Sequence, residues 1–122
     1  TPVYRLTEAT IRNPAVVKTL LAHDGRALYF SRSAIPHVRD VDPAVWYQHA
    51  SYWGHVGMYG FRGDVLAGWD QLPASPLEDL ERLEQLRLIE AGHTIATFPV
   101  EGTSLSVDTP EQLEEARRLA NR

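Results

Sequence analysis

Apolar residues along this chain come in short bursts separated by Pro, Gly and charge, and none approaches the length of a membrane span. After Pro14, the run Ala15 to Leu21 is rich in β-branched residues and of strand length, and Ala27 to Ser31 reads as a returning strand. Asp24-Gly25 between them marks a tight turn that needs positive φ, so a hairpin is predicted over 15–31. Thr1 to Asn13 holds no sustained period and reads as a connector. From Ser33 to Tyr52, with Pro36 and Pro43 as breaks, the pattern predicts a long excursion of the kind used for function or subunit contact. Trp53 to Phe61 alternates bulky with small or polar residues and predicts a buried strand carrying glycines, with a short helix over 62–70 after it.

The strongest helical period begins at Ser75. Ser75 can cap, Pro76 suits the first helical position, and Glu78 stands where a capping box needs an acid. Leu77, Leu80, Leu83, Leu86 and Ile89 then recur at helical spacing until Gly92. Thr94 to Val100 predicts another strand. Thr109-Pro110-Glu111-Gln112 repeats the capping chemistry and opens a last helix with Leu113, Ala116 and Leu119 on one face. The order of elements is mixed α/β.

Composition narrows the functional classes. A length of 122 residues allows one domain, and 43% hydrophobic with 23% charged residues is too apolar for a disordered chain. Sixteen acids against twelve Lys and Arg give −4, which argues against a general nucleic-acid binder. The absence of cysteine removes disulfides, thiolate zinc sites and cysteine nucleophiles. No basic, apolar signal segment opens the chain, so the expected location is cytoplasmic.

Four positions carry candidate chemistry. Asp108 precedes a helix start, where a carboxylate can hold a hard cation such as Mg²⁺ or simply answer the helix dipole. His55 and Tyr59, four apart on a predicted strand, share a face and can hydrogen-bond a polyhydroxylated ligand, unless both are ordinary core residues. Arg32 at the end of the returning strand can clamp a carboxylate or phosphate, or pair with an acid of the chain. Gln85 lies at the edge of the leucine stripe, within reach of a ligand or of solvent. No glycine-rich phosphate loop, nucleophile elbow or paired catalytic carboxylates are present.

At these same positions the sequence resembles the 3-deoxy-manno-octulosonate (Kdo) cytidylyltransferases, the CMP-Kdo synthetase family. The resemblance rests on Ala27 to Pro36 (ALYFSRSAIP), Arg39-Asp40, His55 to Arg62 (HVGMYGFR), Leu72 to Glu78, Leu83 to Arg87 (LEQLR) and Val107 to Glu111 (VDTPE). It covers most of the chain from about Asn13 onward. It implies a Rossmann-like α/β nucleotidyltransferase fold, a mixed sheet with flanking helices, in which the hairpin and loop excursion serve a homodimer contact. It also implies transfer of CMP from CTP to the anomeric hydroxyl of Kdo, with release of pyrophosphate and with Mg²⁺, for lipopolysaccharide synthesis. By motif match Asp108 is a Mg²⁺ ligand and a catalytic residue, while Arg32, His55, Tyr59 and Gln85 line the Kdo pocket. Arg39 is a structural or dimer-contact residue. The family often has a basic residue before the strand histidine, where this chain has Gly54.

The glycine-rich phosphate loop, the cytosine pocket and another Mg²⁺-binding aspartate belong to the family's N-terminal half, and nothing here matches them. Residues 1–122 are therefore expected to be the C-terminal, sugar-acid half. The competing expectations are a non-catalytic binding or assembly module of the same fold, and a cytidylyltransferase for 8-amino-Kdo or a sialic acid.

Overall fold

A computed structural model describes residues 1–102, Val107 and residues 109–121. Five short strands form one sheet in the order β3 (Ala27–Ser31), β2 (Lys18–Leu21), β4 (Trp53–His55), β1 (Pro2–Arg5), β5 (Phe98–Pro99). Strands β2 (Lys18–Leu21) and β3 (Ala27–Ser31) are the predicted hairpin, shortened at its first strand. Its turn forms as the dipeptide requires: Gly25 sits at φ +83°, and the Asp24 carboxylate accepts the Arg26 N–H at 3.0 Å.

The segment read as a connector contains a strand. β1 (Pro2–Arg5) lies inside the sheet, antiparallel to β4 (Trp53–His55) and parallel to β5 (Phe98–Pro99), with Val3 fully buried. Four residues opened by proline are too few to display an alternation, and neighbouring strands supply the order that local pattern lacks. Gly54 has its reason here: a Cβ on it would come within 2.6 Å of the Tyr4 ring, which lies across it from β1. A basic side chain at that place would displace Tyr4.

Two further expectations are corrected. The strand predicted over 53–61 ends at His55, after which the chain bends through Val56 to Met58, whose N–H donates to the Val56 carbonyl at 2.6 Å. Gly57 and Gly60 lie in open space there, so they loosen the backbone instead of packing it. The leucine-striped helix is two helices, α3 (Pro76–Glu81) and α4 (Leu86–Glu90), parted at Arg82 in the left-handed region, φ +55°. Leu83 and Leu86 reach the core, while Leu80 is left 79% exposed. Glu78 does not complete a capping box; its carboxylate accepts from Arg87 Nε at 2.7 Å and ties α3 to α4. Ser75 does cap, accepting the Glu78 N–H.

The helix expected over 62–70 is present as α2 (Gly63–Ala67) and a 3-10 turn, Trp69–Gln71. The last helix, α5 (Pro110–Ala120), opens on a full capping box between Thr109 and Gln112. The excursion over 33–52 has a small core of its own. Trp46 in α1 (Trp46–His49) and Tyr52 pack with Ile11, and their polar atoms donate to the carbonyls of Val41 and Pro36. The main core joins Phe30 and Ala27 of the sheet to Leu83, Leu86, Leu88 and Ile95. No helix of the described residues is long and apolar enough to cross a membrane.

Candidate functional site

His55, at the end of β4, lies edge-on to Phe30 at 5.0 Å between ring centroids and 5.2 Å from Tyr59. The two candidates therefore meet, but through the bend after β4 and not through strand alternation. The row of rings continues from Tyr59 to Phe61 at 5.7 Å and to Trp69 at 5.8 Å.

The protonation of this pair follows from its surroundings. Burial lowers His55 to about 4, so the ring is neutral at pH 7. Thr1 Oγ stands 3.1 Å from His55 Nε2, and within 3.1 and 2.6 Å of the carbonyls of Val56 and Met58. A hydroxyl has one proton, and two carbonyls compete for it. The ring thus supplies its own Nε2–H to Thr1, and Nδ1 carries the acceptor lone pair. Tyr59 is held in its phenol form by burial and by the charge of Glu84. Its hydroxyl is buried without a hydrogen-bond partner among the described residues. A buried hydroxyl left unpaired costs its desolvation and is an expected mark of a ligand's place.

Gln85 is 7% exposed, just before α4, and next to Glu84, whose charge acts on Tyr59. Its carbonyl accepts the N–H groups of Leu88 and Ile89. The solvent-facing alternative for this glutamine is thus removed. Arg32 pairs with no acid among the described residues. Its guanidinium donates to three carbonyls: Nε to Glu81 at 2.8 Å, Nη1 to Pro14 at 3.1 Å, and Nη2 to Arg82 at 3.3 Å. It borders a cleft of about 330 Å³ shared with Arg12, Pro14, Ser33 and Ala34. Among the described residues Arg32 has no hydrogen bond to His55, Tyr59 or Gln85. Between them lies the break between α3 and α4, where Glu81 and Arg82 hold Arg32 and from which the charge of Glu84 acts on Tyr59. Arg39 stands apart on the surface, paired with its neighbour Asp40.

Sequence reading passed over Lys18 and Glu81. Lys18 is fully buried; burial and then the Arg32 charge lower it to about 8, with Glu81 opposing. A lone lysine inside an apolar strand was the available signal. Glu81 gave none, because its role depends on the helix break. Asp108 lies outside the described residues, and among those described no three His, Asp or Glu converge on a possible metal position. Mg²⁺ commonly takes only one or two protein carboxylates and completes its shell with water and phosphate, so a protein cage is not required of this chain.

The mixed sheet with flanking helices is a nucleotidyltransferase fold. The chain belongs to the cytidylyltransferase family, whose model matches residues 2–95. It is 43% identical to the 3-deoxy-manno-octulosonate cytidylyltransferase of Porphyromonas gingivalis, over 87% of this chain and 42% of the relative. The protein of that name from Chlorobaculum tepidum is 47% identical, over 89% of this chain and 42% of the relative. A solved structure described as CMP:2-keto-3-deoxy-manno-octonic acid synthetase complexed with CTP superposes with a TM-score of 0.86 at 43% identity, covering 99% of this chain and 48% of that one. The chain thus spans less than half the length of the relatives it matches.

Proposed function

We propose that this chain is the C-terminal, sugar-acid-binding half of a CMP-Kdo synthetase. In the reaction the anomeric hydroxyl oxygen of Kdo bonds to the α-phosphorus of CTP as the bond to pyrophosphate breaks, and the hydroxyl proton is released. The observation that carries the reading is the buried, unpaired hydroxyl of Tyr59 beside a neutral His55. An acceptor at His55 Nδ1, a phenol at Tyr59 and an amide at Gln85 suit a polyhydroxylated ligand, and Arg32 suits its carboxylate. Their work is orientation: phosphoryl transfer is governed mainly by positioning and by offsetting charge. Mg²⁺, when bound, offsets charge on the triphosphate; we assign Asp108 to it because it directly precedes the Thr109 cap of α5 and matches the family motif. The nucleotide is held by an N-terminal half, the enzyme acts in the cytoplasm as a homodimer, and the separately packed excursion over 33–52, with Tyr47 exposed, suits the dimer contact. A non-catalytic module is not favoured, since relatives matching the same region are named as enzymes.

The test is to co-express the chain with the amino-terminal half of the Porphyromonas gingivalis relative and assay CMP-Kdo formation from CTP, Kdo and Mg²⁺. Product is expected, and Tyr59→Phe should raise KM for Kdo about tenfold, the worth of one hydrogen bond, while sparing KM for CTP. Absence of product with Kdo but turnover of 8-amino-Kdo or a sialic acid would reassign the sugar. An unchanged KM for Kdo would remove Tyr59 from the pocket.

A further inference from the structure

We propose that Glu81 is a positioning residue for Arg32, holding the guanidinium so that two of its N–H groups and its whole charge remain for the ligand's carboxylate. The inference rests on the sugar-acid reading for the ligand, but the geometry of Glu81 stands by itself. One Glu81 carboxylate oxygen accepts the Ser31 hydroxyl at 2.6 Å and the other accepts the Arg32 backbone N–H at 2.9 Å. The Glu81 carbonyl accepts Arg32 Nε at 2.8 Å. One residue at the end of α3 thus grips Arg32 at both ends, backbone and head.

The remaining anchors are carbonyls too. Arg82, in its left-handed conformation, presents the carbonyl that takes Nη2, and Pro14 the one that takes Nη1. The Pro14 carbonyl is itself organised from below. The buried Lys18 ammonium donates to the carbonyls of Asn13 and Val16 on either side of it, at 2.8 and 2.6 Å. A guanidinium has five N–H donors, so three such bonds leave two. Among the described residues Arg32 makes no ion pair, so no carboxylate among them occupies its guanidinium. A carboxylate paired with the guanidinium would have filled the fork that a ligand needs. Glu81 instead spends its charge on a hydroxyl and an amide, which fixes Arg32 without occupying it. The same contacts pull Glu81 and Arg82 toward β3 and part α3 from α4 at this point.

The test uses Glu81→Gln, in which an amide NH₂ replaces one acceptor oxygen and faces a donor. Two readings are taken on the chain. The first is the Arg32 Nε–Hε NMR signal and its solvent exchange; it should be protected in the wild-type chain and lose protection at least tenfold in the variant. The second is calorimetric affinity for Kdo and for Kdo methyl ester. Wild type should prefer the free acid by about tenfold or more, the range of a charge-assisted hydrogen bond, and Glu81→Gln should lose that preference while keeping affinity for the ester. A merely structural role for Glu81 would weaken both ligands equally. Ser31→Ala, which removes one of the Glu81 contacts and no acceptor, should move both readings the same way by a smaller factor, and it serves if Glu81→Gln fails to fold. Unchanged Hε protection in either folded variant overturns the proposal. If the wild-type chain binds neither ligand, yet the substitution releases Hε, the positioning role stands and the sugar-acid reading falls.

Discussion

The neutral imidazole of His55 makes the stability of the chain sensitive to mild acid. In the unfolded chain this ring takes up a proton near 6.5, whereas in the fold burial lowers it to about 4. Between those values the unfolded state binds more protons, so stability falls as pH drops from about 6.5 toward 4. The range from pH 6.5 to 5 lies within that interval. Urea midpoints measured across it should fall for the wild type and stay level for His55→Gln; parallel slopes would mean that His55 is not buried neutral. At this scale the sequence was informative about identity and silent about state. His55 and Tyr59 stood out as chemical groups, but their meeting depends on a bend near Gly57 and not on alternation along a strand. Lys18 was visible as a charge in an apolar run, yet only its two carbonyl partners say what it does.

Elements whose cause is local were the legible ones. The hairpin follows from Asp24-Gly25, and α5 from the Thr109–Gln112 box, because turn and cap each need only a few adjacent residues. The break between α3 and α4 was not legible, because the leucine spacing runs through it. It is imposed from outside: Glu81 is tied to Ser31 and Arg32, and Arg82 carries φ +55° at the end of α3. A left-handed conformation costs an L-residue about 1–2 kcal/mol, and glycine avoids most of that at the expense of its own chain entropy. The Arg82 side chain is exposed, and the contacts that define the break run through its backbone. Arg82→Gly should therefore raise stability by about 0.5 kcal/mol net. Chemical denaturation would detect this as a higher midpoint at constant slope. A loss of 1 kcal/mol or more, in the range of helix-interior glycine, would mean that the solution chain runs a continuous helix here.

At the scale of the whole molecule, the sheet is well packed at its centre and bare toward β5. Val3 is fully buried, while Phe98 is 54% exposed, and Leu113 and Leu119 of α5 face solvent. Short length was legible as a constraint on domain number; what it means for function was not, because the resemblance alone set 122 residues against a chain about twice as long. On the proposed function, the nucleotide-holding half has to cover part of this apolar surface, since burial of such area is the main driving force for joining two halves of a fold. A substitution at an exposed position is nearly neutral for the isolated chain, within about 0.5 kcal/mol. At a face covered by the other half, the same change removes burial and leaves a charge to be desolvated. Phe98→Asp should thus leave the melting temperature of the chain by itself within a degree or two. It should abolish the rise in melting temperature, and the loss of apolar-dye binding, that adding the amino-terminal half of a relative brings to the wild type. If the variant is stabilised as fully as the wild type, the β5 edge is not where the halves meet, and the exposed residues Met58, Leu66 and Leu80 become the face to substitute next.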